Sequence, residues 1–334
     1  MLTPPFTIAN NILNLMVKIA EKIGKLQVMY VKNLHLRKDN RLRSIQASLA
    51  IESNSMSLEQ VTDIINGRKV LGEPREIREV KNAFDAYEHI PHLSPYRVED
   101  FLHSHHLMMR GLVDNAGQFR TGDVGIFNTQ CKVMHLGARP EFVPRLIDDL
   151  FAWAEQDNTP ALIKSCVMHY EIEVIHPFAD GNGRMGRLWQ TLVLSADTPA
   201  FAWLPIETMV YQHQADYYAT LAQADTHNDS TVFIEFILSV ILQTIEIYSL
   251  TQTSDKLSDI MSDTLSDKEQ LAYQHISYYL QQHPHITNQQ AQKILEKSPA
   301  TVRRYLKRLV DCGLLTATGK NKARVYTLAT QKQA

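Results

Sequence analysis

The sequence predicts a mainly α-helical protein with one short β-hairpin and a small C-terminal domain that combines helices with two strands. Apolar residues recur at the three- and four-residue spacing of amphipathic helices through most of positions 7–250. The stretch 115–138 breaks this pattern, because glycines there separate short apolar runs that are typical of a hairpin. At 251–267 the composition shifts to Ser, Thr and Asp, which indicates a linker before a separate domain.

The composition is that of an ordinary globular protein. Its 334 residues are enough for two domains, 44% of them are hydrophobic, and the net charge of −2 points to no particular partner. Cys131, Cys166 and Cys312 are widely spaced, so we expect reduced thiols and a cytoplasmic location. We find no signal-peptide pattern, and Glu235 interrupts the strongest apolar run, so we expect no membrane partner.

Helical patterns fill the first 250 residues in two groups, which a proline-containing break at 91–95 separates. In the first group, residues 1–95, Ser48 and Glu52 are four positions apart on a predicted helix over 44–53, so they share one face. The predicted helices outside the glycine-rich stretches lie at 7–36, 44–53, 58–65, 76–89, 98–109, 141–155, 161–174, 211–224 and 231–250.

Three histidines, His103, His105 and His106, fall on one predicted helix. His103 and His106 are one turn apart and could chelate a metal ion, but no carboxylate or cysteine partner is near them in the sequence. The apolar residues around them favour a packed helix instead of a metal site.

The rest of the chain is organised around the stretch HPFADGNGRMGR, from His176 to Arg187, which lies between two apolar helical patterns. It is predicted to be a loop, with Gly181, Asn182 and Gly183 opening the second helix. A helix N-terminus offers unpaired N–H groups and a partial positive charge, and glycines let a phosphate approach the backbone closely. The amide of Asn182 can also donate to an oxygen, so this turn predicts a phosphate site.

The side chains around this turn are suited to nucleotide chemistry. Arg184 and Arg187 are three positions apart, so they project from one side of the helix and suit two adjacent phosphates. Asp180 is a hard oxygen ligand beside those phosphates, where Mg²⁺ would bind. His176 can accept a proton near neutral pH, and Phe178 alternates with these residues, so it is predicted to anchor the loop in the core.

This stretch resembles the signature of the Fic family, HxFx(D/E)GNGRxxR, and every defined position matches. The resemblance implies a Fic-type helical bundle that moves AMP from Mg·ATP to a Ser, Thr or Tyr hydroxyl of a target protein. It implies that His176 is the general base and Asp180 the Mg²⁺ ligand. The phosphates would be held by the remaining motif residues, Gly181, Asn182, Gly183, Arg184 and Arg187. The related Doc kinases carry lysine in place of Gly183, which argues against that branch.

The N-terminal region is similar to Fic proteins that restrain themselves. Many family members carry an inhibitory helix in which Ser or Thr precedes Glu by four positions, and Ser48 and Glu52 match it. The resemblance implies an inhibitory helix over about 44–54, in which Glu52 pairs with Arg187 and prevents ATP from lying productively. Ser53 departs from the pattern, because the family usually has Gly or Asn there. The Fic catalytic core would then span 96–250.

Two further segments resemble parts of Fic proteins. Residues 117–126 are similar to the segment that leads into the Fic flap, so Phe127–Leu136 is predicted to pair with the backbone of a target protein. Tyr217 and Tyr218 resemble a pair near the adenine pocket, and both adenine stacking and core packing remain open for them.

The C-terminal stretch, residues 268–330, is predicted to be three helices followed by two strands around residues 319–322. Its order and its pattern at 298–309 resemble bacterial winged-helix repressors. Nine Lys or Arg and two acids lie between 293 and 324, a balance of +7 that suits a DNA backbone. The alternative is that the winged helix serves in dimerisation or in contact with another protein. The basic side chains are Arg303, Arg304, Lys307 and Arg308 on the recognition helix, with Lys320, Lys322 and Arg324 in the wing.

The sequence thus predicts a protein adenylyltransferase that Glu52 restrains, and it leaves two alternatives. One is a DNA-binding transcriptional regulator whose Fic core senses nucleotide. The other is an enzyme that removes AMP, with Glu52 positioning a water molecule. The target protein, the modified residue and the formation of a homodimer remain open.

Overall fold

A computed structural model of the chain divides into two compact units, Met1–Thr244 and Ile245–Ala334. The boundary falls within one helix, and each unit has its own core. The structure describes residues 3–32, 34–127, 133–250, 265–319 and 324–329.

The first unit is built from helices and one hairpin, so the predicted mainly α-helical fold is confirmed. Its helices are α1 (Asn10–Lys32), α2 (Leu34–Ile51), α3 (Leu58–Ile65), α4 (Pro74–His89), α5 (Val98–Met109), α6 (Val143–Gln156), α7 (Ala161–Ile175), α8 (Asn182–Asp197), α9 (Ile206–Gln212), α10 (Gln214–His227) and α11 (Thr231–Leu250). Short 3₁₀ helices lie at Ile90–His92, Pro140–Phe142 and Pro199–Trp203. Strands β1 (Gly125–Phe127) and β2 (Val133–Leu136) form the antiparallel hairpin.

Helices α7 and α8 form the centre of this unit and pack against each other. Every residue from Ile163 to Tyr170 is buried, as expected for a helix that is surrounded on all sides. The ring of Phe101 from α5 lies 5.0 Å from Trp189 of α8 and 5.1 Å from Phe178 in the loop between them. Phe178 is fully buried, so its predicted role as the anchor of the loop is confirmed.

A buried carboxylate fixes the position of α2 against this centre. Glu207 of α9 accepts hydrogen bonds from Ser44 of α2 at 2.7 Å, from Tyr87 of α4 at 2.9 Å and from Thr191 of α8 at 3.1 Å. A buried carboxylate is costly unless its oxygens are bonded, so these three donors have to stay where they are. Helices α2, α4, α8 and α9 are thereby fixed relative to one another at this carboxylate.

Helix α11 contains the apolar run that Glu235 interrupts. The segment Thr231–Tyr248 is long and apolar enough to cross a membrane by length and composition alone, although it includes Glu235 and Glu246. In the fold, 56% of the segment is buried, and Phe233 packs against His169 of α7 at 5.2 Å. Core packing therefore accounts for the apolar character of this helix.

After the end of α11, the described part of the second unit contains three helices and a three-stranded antiparallel sheet. They are α12 (Asp267–Gln282), β3 (Ile286–Thr287), α13 (Asn288–Leu295), α14 (Pro299–Asp311), β4 (Leu315–Thr318) and β5 (Val325–Leu328), with the sheet order β3-β5-β4. The predicted N-cap at Ser298 is present, since its hydroxyl accepts from the N–H of Thr301. The sequence predicted only two strands and began the first at Gly313, two residues before β4. A two-residue strand such as β3 has no detectable period, and its partner β5 is distant in the sequence.

The cysteines that the structure describes are free thiols. Burial raises the pKa of Cys166 to about 12, and Cys312 is half-buried. Cys131 lies outside the described residues.

A half-buried acid on α7, Glu171, makes the stability of the fold depend on pH. Burial raises the pKa of the Glu171 carboxyl from 4.5 to about 7. The folded chain therefore holds this proton more tightly than the unfolded chain, and stability falls as pH rises from 4.5 to about 7. One pKa unit corresponds to about 1.4 kcal/mol, so the full shift would correspond to roughly 3 kcal/mol, and water around the half-buried side chain reduces this. We therefore expect Glu171→Gln to raise the free energy of unfolding by on the order of 1–2 kcal/mol at about pH 8. Urea denaturation at about pH 8 and about pH 4.5 checks this, and an equal effect at both values would contradict it.

Candidate active site

The site is centred on the loop between α7 and α8, where the sequence predicted it. His176 is the first residue after α7 and has a left-handed backbone with φ of +53°. Non-glycine residues rarely adopt this conformation, and it is typical of positions where a side chain is aimed for a function. The N–H of His176 still donates to Ile172 at 3.0 Å, so the turn is closed before the chain leaves the helix.

A buried arginine that the sequence did not single out holds this turn. Arg120 is 3% exposed, and its guanidinium donates to the carbonyls of His176 at 2.6 Å, Ile175 at 3.3 Å and Gly122 at 2.8 Å, and also to that of Ala138. It therefore ties the His176 turn to the two ends of the hairpin segment. Arg120 is a positioning residue, and no local spacing could have revealed contacts that span 56 positions.

Asn182 closes the other half of the loop. Its side-chain oxygen accepts from the N–H of Phe178 at 2.9 Å, and its side-chain nitrogen donates to the carbonyl of Phe178 at 2.9 Å. Both arms of the amide are thus used within the loop. The backbone N–H of Asn182, at the start of α8, is a further donor for a phosphate oxygen.

His105 orients the carboxylate residue of the motif. Its Nδ1 accepts from the N–H of Gly117 at 2.9 Å, so Nε2 carries the proton and donates to the carbonyl of Asp180 at 3.0 Å. The imidazole stacks on Phe178 at 3.6 Å, and burial lowers its pKa to about 4, which keeps the ring neutral. This histidine is part of the packing, and among the described residues no group of three His, Cys, Asp or Glu could hold a metal ion.

The start of α8 has the backbone of an anion site. Gly181 has φ of +89°, and a Cβ there would lie 2.8 Å from the sulfur of Met109, so only glycine fits. The first N–H groups of a helix have no partner within it. A Cβ on Gly183 would lie 2.5 Å from a carboxylate oxygen of Glu52, which shows how closely that side chain approaches the same turn.

Asp180 and Arg184 belong to a group of four charges. Arg184 Nη2 lies 3.0 Å from Asp180 Oδ1, and Arg75 Nη2 lies 3.2 Å from Asp180 Oδ2. Glu79 Oε1 lies 3.3 Å from Arg75 Nε and 3.5 Å from Arg184 Nη1. The carboxylate of Asp180 is half-exposed. Because Mg²⁺ is commonly bound by one or two carboxylates together with substrate phosphates, these residues fit a Mg²⁺ site.

The predicted pairing of Glu52 with Arg187 is present. Arg187 Nη2 lies 2.6 Å from Glu52 Oε1, and Arg187 also donates to the hydroxyl and the carbonyl of Ser48, each at 3.1 Å. The Arg187 side chain is 2% exposed. Burial is the largest single effect and lowers the pKa of Arg187, but Glu52, Tyr217 and Glu173 together outweigh it, so the net pKa is raised. Ser48 and Glu52 thus hold one guanidinium from one side of α2.

The end of α2 differs from the predicted boundary near position 54. The helix ends at Ile51, and the next residues form a Schellman turn in which Asn54 N–H donates to Leu49 at 3.1 Å and Ser53 N–H donates to Ala50 at 3.0 Å. Ser53 has φ of +69°. This conformation explains why glycine or asparagine suits the position better than serine does.

The two tyrosines of α10 have different surroundings. Tyr217 is fully buried, and its hydroxyl donates to Glu173 at 3.0 Å, so core packing is the right interpretation for it. Tyr218 is 47% exposed and donates to the carbonyl of Ile51 at 3.3 Å, where Gln214 also donates at 2.9 Å. Two side chains of α10 therefore hold the last residue of α2.

The hairpin lies beside the His176 turn. Its register pairs Ile126 with His135, and a Cβ on Gly137 would lie 3.1 Å from the Cβ of His176. The segment predicted to pair with a target, Phe127–Leu136, includes positions 128–132, which lie outside the described residues. Leu136, at the end of β2, is exposed.

Comparison with known proteins identifies the family of the chain. A model of the Fic/DOC family matches residues 93–194, and a model of winged helix-turn-helix DNA-binding domains matches residues 274–316. A solved Fic family protein from Desulfovibrio desulfuricans is 38% identical over the full length of both chains, with a TM-score of 0.73. The chain belongs to the Fic family. The family assignment that the sequence motif suggested is therefore confirmed, and so is the C-terminal winged helix.

Other Fic relatives match only in part. Protein adenylyltransferase fic-1 of Caenorhabditis elegans is 26% identical over 243 residues, which cover 66% of this chain and 44% of that protein. Protein adenylyltransferase Fic of Nematostella vectensis is 26% identical over 268 residues, which cover 75% and 59%. This Fic chain thus spans less than two thirds of these relatives. A solved part of C. elegans Fic-1, at 24% identity and a TM-score of 0.57, covers 71% of this chain and 73% of that one and shows the same fold.

The left-handed serine at the end of α2 leads to a prediction about stability. A left-handed conformation costs an L-residue about 1–2 kcal/mol, whereas glycine adopts it freely but loses more chain entropy on folding. We expect Ser53→Gly to raise the free energy of unfolding by a net of roughly 0.5 kcal/mol. The control is Ser55→Gly, which should destabilise because Ser55 donates its hydroxyl to Glu76 at 3.0 Å. Urea denaturation of both variants decides, and a destabilised Ser53→Gly would contradict the prediction.

Proposed function

We propose that this Fic protein transfers AMP from Mg·ATP to a hydroxyl of a target protein and that Glu52 restrains the reaction. The observation that carries the proposal is the convergence of His176, Asp180 and both motif arginines at the start of α8, with Glu52 bonded to Arg187. The names of the relatives, protein adenylyltransferase, support this reaction class.

The chemistry follows from the positions of these groups. The target hydroxyl attacks the α-phosphorus of ATP, a new O–P bond forms, the bond to the bridging oxygen breaks, and pyrophosphate leaves. His176 accepts the hydroxyl proton, and the N–H groups at the start of α8 stabilise the charge on the α-phosphate. Asp180 would hold Mg²⁺, which neutralises charge on the phosphates. Arg184 and Arg187 would bind the β- and γ-phosphates.

The restraint by Glu52 is electrostatic and steric. Arg187 is buried, and the carboxylate of Glu52 is its counter-charge at 2.6 Å. A γ-phosphate that approached Arg187 would meet this carboxylate, and like charges at such short range repel strongly. ATP would have to lie elsewhere, with its α-phosphate away from His176. Removal of the carboxylate makes Arg187 available to the phosphate.

The target protein is proposed to dock along the hairpin. Strand β2 ends at Leu136 and is followed by Gly137, which packs beside His176. A peptide that added to this hairpin as an extra strand would carry its hydroxyl toward the base. Backbone pairing of this kind does not require one particular target sequence.

The first experiment uses ATP labelled at the α-phosphate, with autolabelling as the readout. We expect Glu52→Gly and the charge-only variant Glu52→Gln to incorporate more label than the wild type. Adding His176→Ala to Glu52→Gly should lower incorporation by about 10²–10⁴-fold, the usual contribution of a general base, without loss of ATP binding. Undiminished label in the double variant would refute the role of His176. Unchanged transfer and unchanged ATP affinity in both Glu52 variants would refute the restraint.

A second function is supported by the winged helix, for which we propose binding to duplex DNA. In α14 the apolar residues Val302, Tyr305, Leu306 and Leu309 are buried. The basic residues Arg303, Arg304, Lys307 and Arg308 are all exposed. A helix with one buried apolar face and one exposed basic face can present its charges to a phosphate backbone. Lys320 and Lys322 lie outside the described residues, so their predicted place in the wing stays a prediction.

The DNA-binding proposal is tested through its salt dependence. We expect Arg303→Ala/Lys307→Ala to weaken binding to a duplex oligonucleotide and to reduce the slope of log K against log salt by about two, one for each lost phosphate contact. The charge-matched control is Lys18→Ala/Lys69→Ala, which removes two exposed cations from the first unit. Fluorescence anisotropy over a range of salt concentrations gives both values. Equal slopes for the two variants, or no binding by the wild type, would contradict the proposal.

A further inference from the structure

Helix α4 contributes two opposite charges to the nucleotide site. Arg75 and Glu79 are four positions apart on α4, and their side chains lie 3.3 Å from each other. Arg75 reaches Asp180 at 3.2 Å, Glu79 reaches Arg184 at 3.5 Å, and Arg184 and Asp180 are 3.0 Å apart. The four groups form a closed ring of alternating charge. Two of its members belong to the Fic motif, and two come from the N-terminal region.

The contact between Glu79 and Arg184 is the sheltered part of this ring. Their side chains are 12% and 4% exposed, whereas Arg75 is 59% exposed. Exposed pairs contribute little because water screens them, but a sheltered pair is not easily replaced by solvent. Any other anion that binds Arg184 has to displace Glu79 or share the guanidinium with it.

Glu79 is also connected to the end of the helix that carries Glu52. The amide nitrogen of Asn54 donates to Glu79 Oε2 at 2.8 Å and to the carbonyl of Glu76 at 3.3 Å. Ser55 N–H donates to the carboxylate of Glu76 at 2.6 Å. One oxygen of Glu79 is therefore held by the turn after α2, and the other faces Arg184 and Arg75.

These contacts use the groups that a nucleotide would need. Nη1 of Arg184 faces Glu79, Nη2 faces Asp180, and Nε is buried with no hydrogen-bond partner among the described residues. Both oxygens of Asp180 face guanidinium groups. The charged side chains of the site thus neutralise one another. Mg²⁺ and phosphates would have to displace these contacts in order to bind.

We propose that Glu79 is a second restraining carboxylate, which occupies Arg184 as Glu52 occupies Arg187. Each arginine of the motif then meets a carboxylate from the N-terminal region before Mg·ATP binds. The inference rests on the proposed function, because it concerns the same nucleotide site. It differs from a supporting role in the loaded site, since a group that only positioned Arg184 for the phosphates would be needed for tight binding. Restraint and support therefore predict opposite effects when Glu79 is neutralised.

The experiment measures binding of Mg·α,β-methylene-ATP, an analogue that cannot transfer AMP, by isothermal titration calorimetry. We expect Glu52→Gln/Glu79→Gln to bind the analogue about tenfold more tightly than Glu52→Gln, within the usual range of coupling between sites. Glu52→Gln/Glu79→Asp retains the charge but moves it back by one methylene, so its affinity for the analogue should lie between those of the other two variants. Equal or weaker binding after Glu79→Gln would overturn the inference, as would failure to bind in every variant.

The matched control is Glu52→Gln/Glu73→Gln. Glu73 is an exposed carboxylate at the start of the same helix and makes no side-chain capping bond, so its neutralisation should leave affinity unchanged. Equal tightening by Glu73→Gln and Glu79→Gln would show a general charge effect and overturn the specific role. Thermal unfolding of each variant confirms that the comparison is between folded proteins.

Labelled ATP separates this inference from the proposed reaction. If Glu79→Gln tightens binding of the analogue but no variant transfers label, Glu79 restrains nucleotide binding and the proposed reaction fails. If the Glu52 variants transfer label and Glu79→Gln does not tighten binding, the reaction stands and the role of Glu79 fails.

Discussion

The guanidinium of Arg187 is buried, and it has to be neutralised in every state of the site. An isolated charge with so little access to water costs several kcal/mol, so some anion must accompany it. Here that anion is Glu52, supported by the hydroxyl and the carbonyl of Ser48. The rest of the unit supplies the conditions for this pair. Glu207 fixes α2, and the packed centre of α7 and α8 fixes the arginine. In the proposed function, control of the site is thus an exchange between Glu52 and a phosphate at a fixed cation.

Side-chain contacts fix the backbone of the loop that carries the motif residues. The His176 turn is held by the guanidinium of Arg120, and the loop before α8 is closed by Asn182 and stacked on His105. Each of these side chains bonds to backbone atoms, so the path of the loop is determined independently of any bound nucleotide. Such positioning reduces the entropy that binding has to overcome.

The sequence predicted the parts of the site that depend on local spacing. Helix geometry and family resemblance identified the motif from His176 to Arg187 and the four-residue spacing of Ser48 and Glu52. The contact between Glu52 and Arg187 was expected from the resemblance. Arg120 and Glu79 were missed, because their partners lie 56 and 105 positions away and no period in the sequence records such contacts. The short strand β3 was missed for the same reason, and the apolar character of α11 was explained only by its burial.

The place of Glu52 along the chain has a consequence for the speed of control. Glu52 follows the last residue of α2 and lies in the capping turn, so its carboxylate can leave Arg187 through torsions of that turn while the helix stays folded. Motions of short turns take nanoseconds to microseconds, whereas unfolding a packed helix takes far longer. In the proposed function, the exchange of Glu52 for a phosphate at Arg187 can therefore be fast compared with one turnover of an enzyme with ordinary kinetics.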